Sequence, residues 1–293
     1  MRLRAMAKIN LGLDVLGKRP DGYHEVRMIM QTIQMYDTLE IQRREKPGIM
    51  LATNLPYIPA DERNLAYKAA KLLMDEFGIQ EGLSMNLEKF IPVAAGMAGG
   101  SSDAAAAFVG VNRLFGLGLS EEELMERAVR VGADVPYCIM RGTALAEGIG
   151  EKLTRLPPVP QCYVLIGKPG VNVSTRTAYE NLCLEEFGPR PDIDGMAAAI
   201  REGDLHGMIS GMGNVFEPGI IRKYPVIQEI KDLMEEAGAL KAMMSGSGPT
   251  VFGIFENRET IEDAAVLLKE SRLAKTVFAT EVFNRIGGET NDK

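Results

Sequence analysis

Apolar and polar residues alternate along residues 4–15, RAMAKINLGLDV: Ala5, Ala7, Ile9, Leu11 and Leu13 fall on one side and Lys8, Asn10, Gly12 and Asp14 on the other. A period of two predicts a strand. Solvent is the ordinary reason for such a polar face, yet Lys8 and Asn10, two residues apart, would share a cleft if that face were covered. Pro20 and Asp21-Gly22 break the chain within GKRPDGYH. The next stretch, VRMIMQTIQMYDTLEIQRR, is β-rich and predicts two strands with a break near Asp37. The period then changes. Leu65, Ala69, Leu72, Leu73 and Phe77 recur at helical spacing, predicting a helix over residues 61–77 with Asn64 in its first turn and Gly78 as its stop.

Residues 83–90 predict a strand that runs into IPVAAGMAGGSSDAAAAF, residues 91–108. Beyond this alanine-rich helix, Ser120 and Glu123 form a capping box for a helix to about residue 131. The sequence GADVP, residues 132–136, ends that helix, and by itself Asp134 reads as a solvated residue at a proline stop. Short apolar pieces over residues 137–156 suit a pair of strands, and LPPVP, residues 156–160, is the best boundary. The expected domains are therefore residues 1–155 and 156–286. The second opens with the strand CYVLIGKPG, followed by a loop into a helix, VNVSTRTAYENL, and a looser stretch from Pro189 to Asn214. An amphipathic helix over 225–238 precedes LKAMMSGSGPTVFGIF, two strands around a turn that alone would explain Gly246 and Gly248. A last helix over 259–271 and a strand over 276–283 lead into a polar, frayed tail from Gly287.

Composition narrows the classes. A chain of 293 residues, 46% hydrophobic and 25% charged, is an ordinary globular composition long enough for two domains. A net charge of −7 argues against a nucleic-acid binder working by bulk electrostatics. Cys138, Cys162 and Cys183 fit no metal-ligand spacing and read as buried thiols in a reducing compartment. No apolar run approaches membrane-spanning length, and Lys8, Asn10 and Asp14 interrupt what would be a signal-peptide core. The expectation is a cytoplasmic protein without a membrane or nucleic-acid partner.

The chemistry concentrates in residues 91–108. Gly96, Gly99 and Gly100 let the backbone approach a ligand closely. Ser101 or Ser102 is placed to cap the helix that follows, whose first N–H groups and positive dipole end suit a phosphate. A tight turn before a close-packed helix is the plain alternative. The stretch is neither a Walker loop nor a G-x-G-x-x-G dinucleotide loop.

Taken in order, the Ala/Gly/Ser loop, GADVP and SGSGPTVF resemble the three signature regions of the GHMP kinases, a family of small-molecule kinases. The resemblance runs from Ala7 to about Phe283. It implies an α+β fold of two domains, an N-terminal ribosomal-S5-domain-2-like domain and a C-terminal ferredoxin-like α/β sandwich, with the active site in the cleft between them. The opening AKINLGLDVLGKRPDGYHEV is similar to the branch of the family whose substrate is an alcohol carrying a cytidine diphosphate group. On that resemblance Lys8 and Asp134 are the catalytic pair, and Asn10 lies on the substrate side. Tyr23 and His24 lie at the cytidine ring, with Tyr179 as a second aromatic. Adenine lies near Asn64 and Lys89. The nucleotide phosphates lie on Pro92, Val93, Ala94, Ala95, Gly96, Met97, Ala98, Gly99, Gly100, Ser101 and Ser102. Ala94, Ala95 and Ala98 stand where the family often has glycine, and alanine disfavours positive φ, so ordinary backbone is expected there.

ATP is the implied donor, with Mg²⁺ bridging its phosphate oxygens and keeping most of its waters; the protein ligands of the ion are left open, Ser102 among them. Whether the chain is a monomer or a homodimer is also open. Phosphoryl transfer asks for positioning and charge stabilisation above strong base catalysis. Asp134 would accept the hydroxyl proton, Lys8 would orient it and neutralise developing charge, and two tyrosines would sandwich the pyrimidine. Another kinase of the family, a non-catalytic member and an RNA-binding module are the rivals. The aromatic residues, the retained Lys8 and Asp134, and the acidic balance argue against each in turn.

Overall fold

A computed structural model gives the structure and describes residues 1–180, 182 and 190–284. Cys183, Pro189 at the start of the looser stretch, and the tail from Gly287 lie outside the described residues.

The first sheet is built on one long antiparallel pair, β1 (Arg2–Lys18) and β2 (His24–Arg44). Register shifts between Met6 and Lys8 and between Asn10 and Gly12 divide β1. Because side chains alternate with a period of two, each shift flips the faces. The single apolar face expected for Ala5 to Leu13 is therefore split. Leu3, Ala5, Leu13 and Val15 enter one core, while Ala7, Ile9 and Leu11 enter another. Both faces of β1 are covered, so Lys8 and Asn10 are buried instead of solvated.

The break expected at Asp37 does not occur, because β2 is continuous. What changes there is its neighbour. Its first half pairs with β5 (Thr143–Gly148) and its second half with β4 (Gly82–Glu88). The sheet is completed by β3 (Ile49–Thr53) beside β4 and by β6 (Lys152–Arg155) beside β5. Covering it are α1 (Leu65–Glu76), α2 (Gly99–Phe115), α3 (Glu121–Ala128) and α4 (Val135–Met140). Asn64 is the N-cap of α1 and not part of its first turn, and the capping box at Ser120 and Glu123 is present. GADVP starts a helix as well as ending one, since Asp134 is the N-cap residue of α4.

The second sheet holds β7 (Tyr163–Pro169), β9 (Lys241–Met244), β10 (Val251–Phe255) and β11 (Ala274–Glu281), all antiparallel in the order β11-β7-β10-β9. Between β7 and β9 run α5 (Thr175–Glu180), α6 (Ile193–Glu202), α7 (Leu205–Ser210), the short β8 (Gly213–Asn214), α8 (Glu217–Lys223) and α9 (Val226–Glu236). With α10 (Arg258–Ser271) between β10 and β11, this is the ferredoxin-like order, with α9 and α10 packed on one face. The other face, with Val164, Ile166, Met243, Phe252 and Ile254, packs with Ala7, Ile9 and Leu11 of β1 and with α6 and α7. β8 crosses back to pair in parallel with β1 at Gly12 and Leu13. The two sheets thus share a core beside the strand that carries Lys8.

Candidate active site

A cleft of about 1220 Å³ opens between the start of α2, the polar side of β1, the turn at Gly22 and the loops of the second sheet. One side of it is the loop of residues 92–98, of which all but Met97 line it. That segment departs from the expectation of ordinary backbone: Ala94 and Ala98 have φ of 51° and 55°, the left-handed region. Ala98 is the N-cap residue of α2, and no side chain caps the helix. The expected serine cap is absent for a physical reason. Ser102 is buried one turn inside the helix, where its hydroxyl donates to the Met6 carbonyl of β1 at 2.6 Å. Ser102 N–H pairs with the Ala98 carbonyl, whereas Gly99, Gly100 and Ser101 face the cleft. Uncapped N–H groups at the end of a long helix suit an anion.

The loop is held from three sides. Lys8 N–H donates to the Met97 carbonyl at 3.2 Å, tying β1 to it. From the second sheet, Ser245 Oγ donates to the Gly96 carbonyl at 2.9 Å. Asn214 Nδ2 in turn donates to the Met244 and Gly246 carbonyls at 2.7 and 2.8 Å, fixing the turn that carries Ser245. The third brace is Asp37, whose Oδ1 accepts the Phe90 and Ile91 amides at 2.5 and 2.7 Å. Gly246 and Gly248 thus belong to a turn that packs on the loop, not to a hairpin alone.

Lys8 lies deep in the cleft, its side chain 5% exposed. Its Nζ donates to Asn10 Oδ1 at 2.6 Å and stands 3.9 Å from Asp134 Oδ2. Asn10 Nδ2 in turn points at Met28 Sδ, 3.2 Å away. The carboxylate of Asp134 makes no capping bond to α4 and is one-third exposed, so one face is paired with a cation and the other meets the cleft. An ammonium, an amide and a carboxylate so arranged can hold an alcohol and a phosphoryl group together and neutralise the charge that moves between them.

Also lining the cleft, His24 stacks on Tyr179 with ring centroids 4.6 Å apart and planes 24° apart. Tyr179 also meets Phe216 edge-on at 4.9 Å. Burial, with a smaller effect from Asp134, pushes the Tyr179 phenol up to about 12, so it is neutral and able to donate. Tyr23 is 61% exposed at the rim. The tyrosine sandwich expected for the pyrimidine is therefore not preformed, because His24 occupies a face of Tyr179.

The remaining expected residues divide. Pro92 to Gly96, Ala98 to Ser101, Asn64 and Lys89 line the cleft, but Met97 and Ser102 do not. Met97 packs into the core between the sheets. The Asn64 amide is already committed, accepting from Ala66 N–H at 2.9 Å and donating to the Pro59 carbonyl at 2.9 Å. Lys89 Nζ is committed too, to Asp103 at 2.6 Å and to Asp37. Asp37, Asp103, Asn214 and Ser245 were not singled out in the sequence. Asp103 lies within the run 91–108 and Ser245 opens SGSGPTVF, so both motifs pointed near them; Asp37, a carboxylate inside an apolar β-rich run, is a further signal, and Asn214 offers none. Cys138 and Cys162 are buried and take no part, their thiols pushed up to about 12 by burial.

The model of the GHMP kinases N terminal domain matches residues 64–142, and that of the GHMP kinases C terminal domain matches residues 196–270. A 4-diphosphocytidyl-2-C-methyl-D-erythritol kinase of Lachnoclostridium phytofermentans is 55% identical over 281 residues, covering 96% of this chain and 97% of that one. The chain belongs to the GHMP kinases. The similarly named protein of Lachnospira eligens is 53% identical over 97% of this chain and 98% of its own. A crystal structure of 4-(cytidine 5'-diphospho)-2C-methyl-D-erythritol kinase superposes with a TM-score of 0.83 at 31% identity, covering 97% of this chain and all of that one. Homoserine kinase from Cytophaga hutchinsonii, at a TM-score of 0.73 and 19% identity over 96% of this chain and 93% of its own, shares the fold. This GHMP kinase is a small-molecule kinase with ATP as its phosphoryl donor. No helix among the described residues is long and apolar enough to cross a membrane.

Proposed function

We propose that the protein transfers the γ-phosphoryl group of ATP to the 2-hydroxyl of 4-diphosphocytidyl-2-C-methyl-D-erythritol, a step of the non-mevalonate route to isoprenoid precursors. One observation carries the reading: a single cleft holds the Lys8–Asp134 pair, an uncapped helix N-terminus and an aromatic cluster. A substrate that carries both a reacting hydroxyl and a nucleobase matches that set of groups. The relatives' names agree with it. Residues 1–155 and 156–286 are the domains in this reading, with β8 as a strap between them.

In this mechanism the loop N–H groups and the start of α2 hold the ATP phosphates, and Asp134 holds the substrate hydroxyl in line and takes its proton as the new bond forms. Lys8, oriented by Asn10, offsets charge on the transferred oxygens. Mg²⁺ carried with ATP supplies further neutralisation of the phosphates. No cluster of three or more His, Cys, Asp or Glu suited to a metal occurs among the described residues.

Two results are expected. With ATP and Mg²⁺, ADP should form with 4-diphosphocytidyl-2-C-methyl-D-erythritol and only negligibly with homoserine or mevalonate; a comparable kcat/KM for mevalonate would overturn the substrate assignment. His24→Ala should raise KM for the cytidine substrate by ~10-fold, within the range for losing one base-stacking or edge contact. It should leave KM for ATP unchanged. An equal rise in both KM values would mean that His24 merely supports the cleft through Tyr179.

A further inference from the structure

The nucleotide loop begins where β4 ends, and the side chain that receives it is Asp37. Beyond Glu88, the chain leaves its ladder with β2, whose last partner there is Thr38. Asp37, fully buried in β2, takes over as acceptor: its Oδ1 binds the next two free amides, those of Phe90 and Ile91. Its Oδ2 binds Lys89 Nζ. Lys89 then reaches Asp103 Oδ2 at 2.6 Å, in the second turn of α2, beyond the far end of the loop. Residues 92–98 therefore span two points that one buried Asp37–Lys89–Asp103 triad ties together. The ammonium also sits against the start of α2, since a Cβ on Gly99 would lie 3.4 Å from Lys89 Nζ.

Such a cation is out of place on electrostatic grounds alone. It lies at the positive end of a helix and away from water, its side chain 4% exposed. Burial by itself lowers the pKa of Lys89; Asp103 and Asp37 outweigh that and raise it, so the ammonium persists between them, while burial pushes the Asp103 carboxyl up to about 8. Asp103 Oδ1 has no hydrogen-bond partner, so the triad leaves one carboxylate oxygen unsatisfied beneath the loop.

We propose that Asp37, acting through Lys89 and the Phe90 and Ile91 amides, is a positioning residue that sets the conformation of the nucleotide loop. Lys89 is then the tie between the two ends of that loop and not a contact to adenine. The proposal rests on the reading of residues 92–101 as the phosphate site.

The two roles of Lys89 separate by second-site rescue. Lys89→Met removes the donor that joins Asp37 to Asp103, and the loop ends lose their tie. KM for ATP should rise ~10- to 100-fold, the scale of a small misplacement of a binding group. KM for the cytidine substrate should stay within ~2-fold, because the aromatic cluster is untouched. Adding Asp103→Asn supplies an amide donor that can face Asp37 in place of the lost ammonium and should recover most of the ATP affinity. Asp37→Asn, which keeps the shape and folds more readily, should raise KM for ATP alone and speed hydrogen exchange at the Phe90 and Ile91 amides. A double variant as weak as Lys89→Met would show that Lys89 contacts the nucleotide and would overturn the tie. So would normal KM for ATP in Asp37→Asn while Gly96→Ala, a loop change outside the triad, abolishes ATP binding. Normal ATP binding in Gly96→Ala as well would overturn the phosphate-site reading itself, and the positioning role with it.

Discussion

Asp134→Asn should lower kcat by at least ~10²-fold, the range for losing a positioned general base. The change keeps the side-chain shape but removes the charge, the proton acceptor and the partner of Lys8. KM for the cytidine substrate should change little, since in this reading the cytidine is held by His24, Tyr179 and Tyr23, which also line the cleft. Stability should be almost unaffected, because the Asp134 side chain is one-third exposed and makes no capping bond. Lys8→Ala should cost a similar order in kcat and also some stability, as it leaves the buried Asn10 oxygen without its donor. If the pair acts as one unit, the double variant is little worse than the poorer single one. A near-normal kcat with KM raised severalfold in Asp134→Asn would remove the aspartate from the chemistry and make it a substrate-binding residue.

Much of the cleft was legible as a set of neighbours. The alternation of β1 placed Lys8 and Asn10 together, and the small-residue run before α2 marked a close backbone approach. The rest was hidden for identifiable reasons. A β-bulge leaves no compositional mark, so the two shifts in β1 that split its apolar residues between two cores could not be read from alternation. Ala94 and Ala98 adopt left-handed backbone against their intrinsic preference, at a cost that the bracing from Lys8, Ser245 and Asp37 must offset. Ser102 was expected to face the phosphates from its place in the motif, yet helical geometry turns it towards Met6. Asp37 looked like a break because a charge interrupts an apolar run. It is instead a buried acceptor at the point where the sheet changes partner. Long-range pairings decided each of these, and local sequence does not encode them.

Gly96→Ala should be the most damaging single-methyl change in the loop. Gly96 has φ of +73°, where alanine costs about 1–2 kcal/mol. The added Cβ would also lie 2.1 Å from the Ser245 carbonyl oxygen, a backbone atom that cannot rotate away. The loop and the turn at residues 245–248 must then separate, which breaks the Ser245 Oγ bond to the Gly96 carbonyl and shifts the N–H groups that face the phosphates. ATP binding should weaken by ~10²-fold or more, the scale expected when a positioned site is displaced by about an ångström. Stability should fall as well, so strain must be told apart from displacement. Gly78→Ala makes that distinction: its φ is +62°, and nothing lies within 4 Å of the added Cβ. It carries the same conformational cost without the collision, and its site at the end of α1 does not line the cleft. Thermal unfolding should show both variants destabilised, while titration with ATP should show only Gly96→Ala impaired. Should Gly96→Ala bind ATP within ~2-fold of the wild type, residues 92–101 would not be the phosphate site.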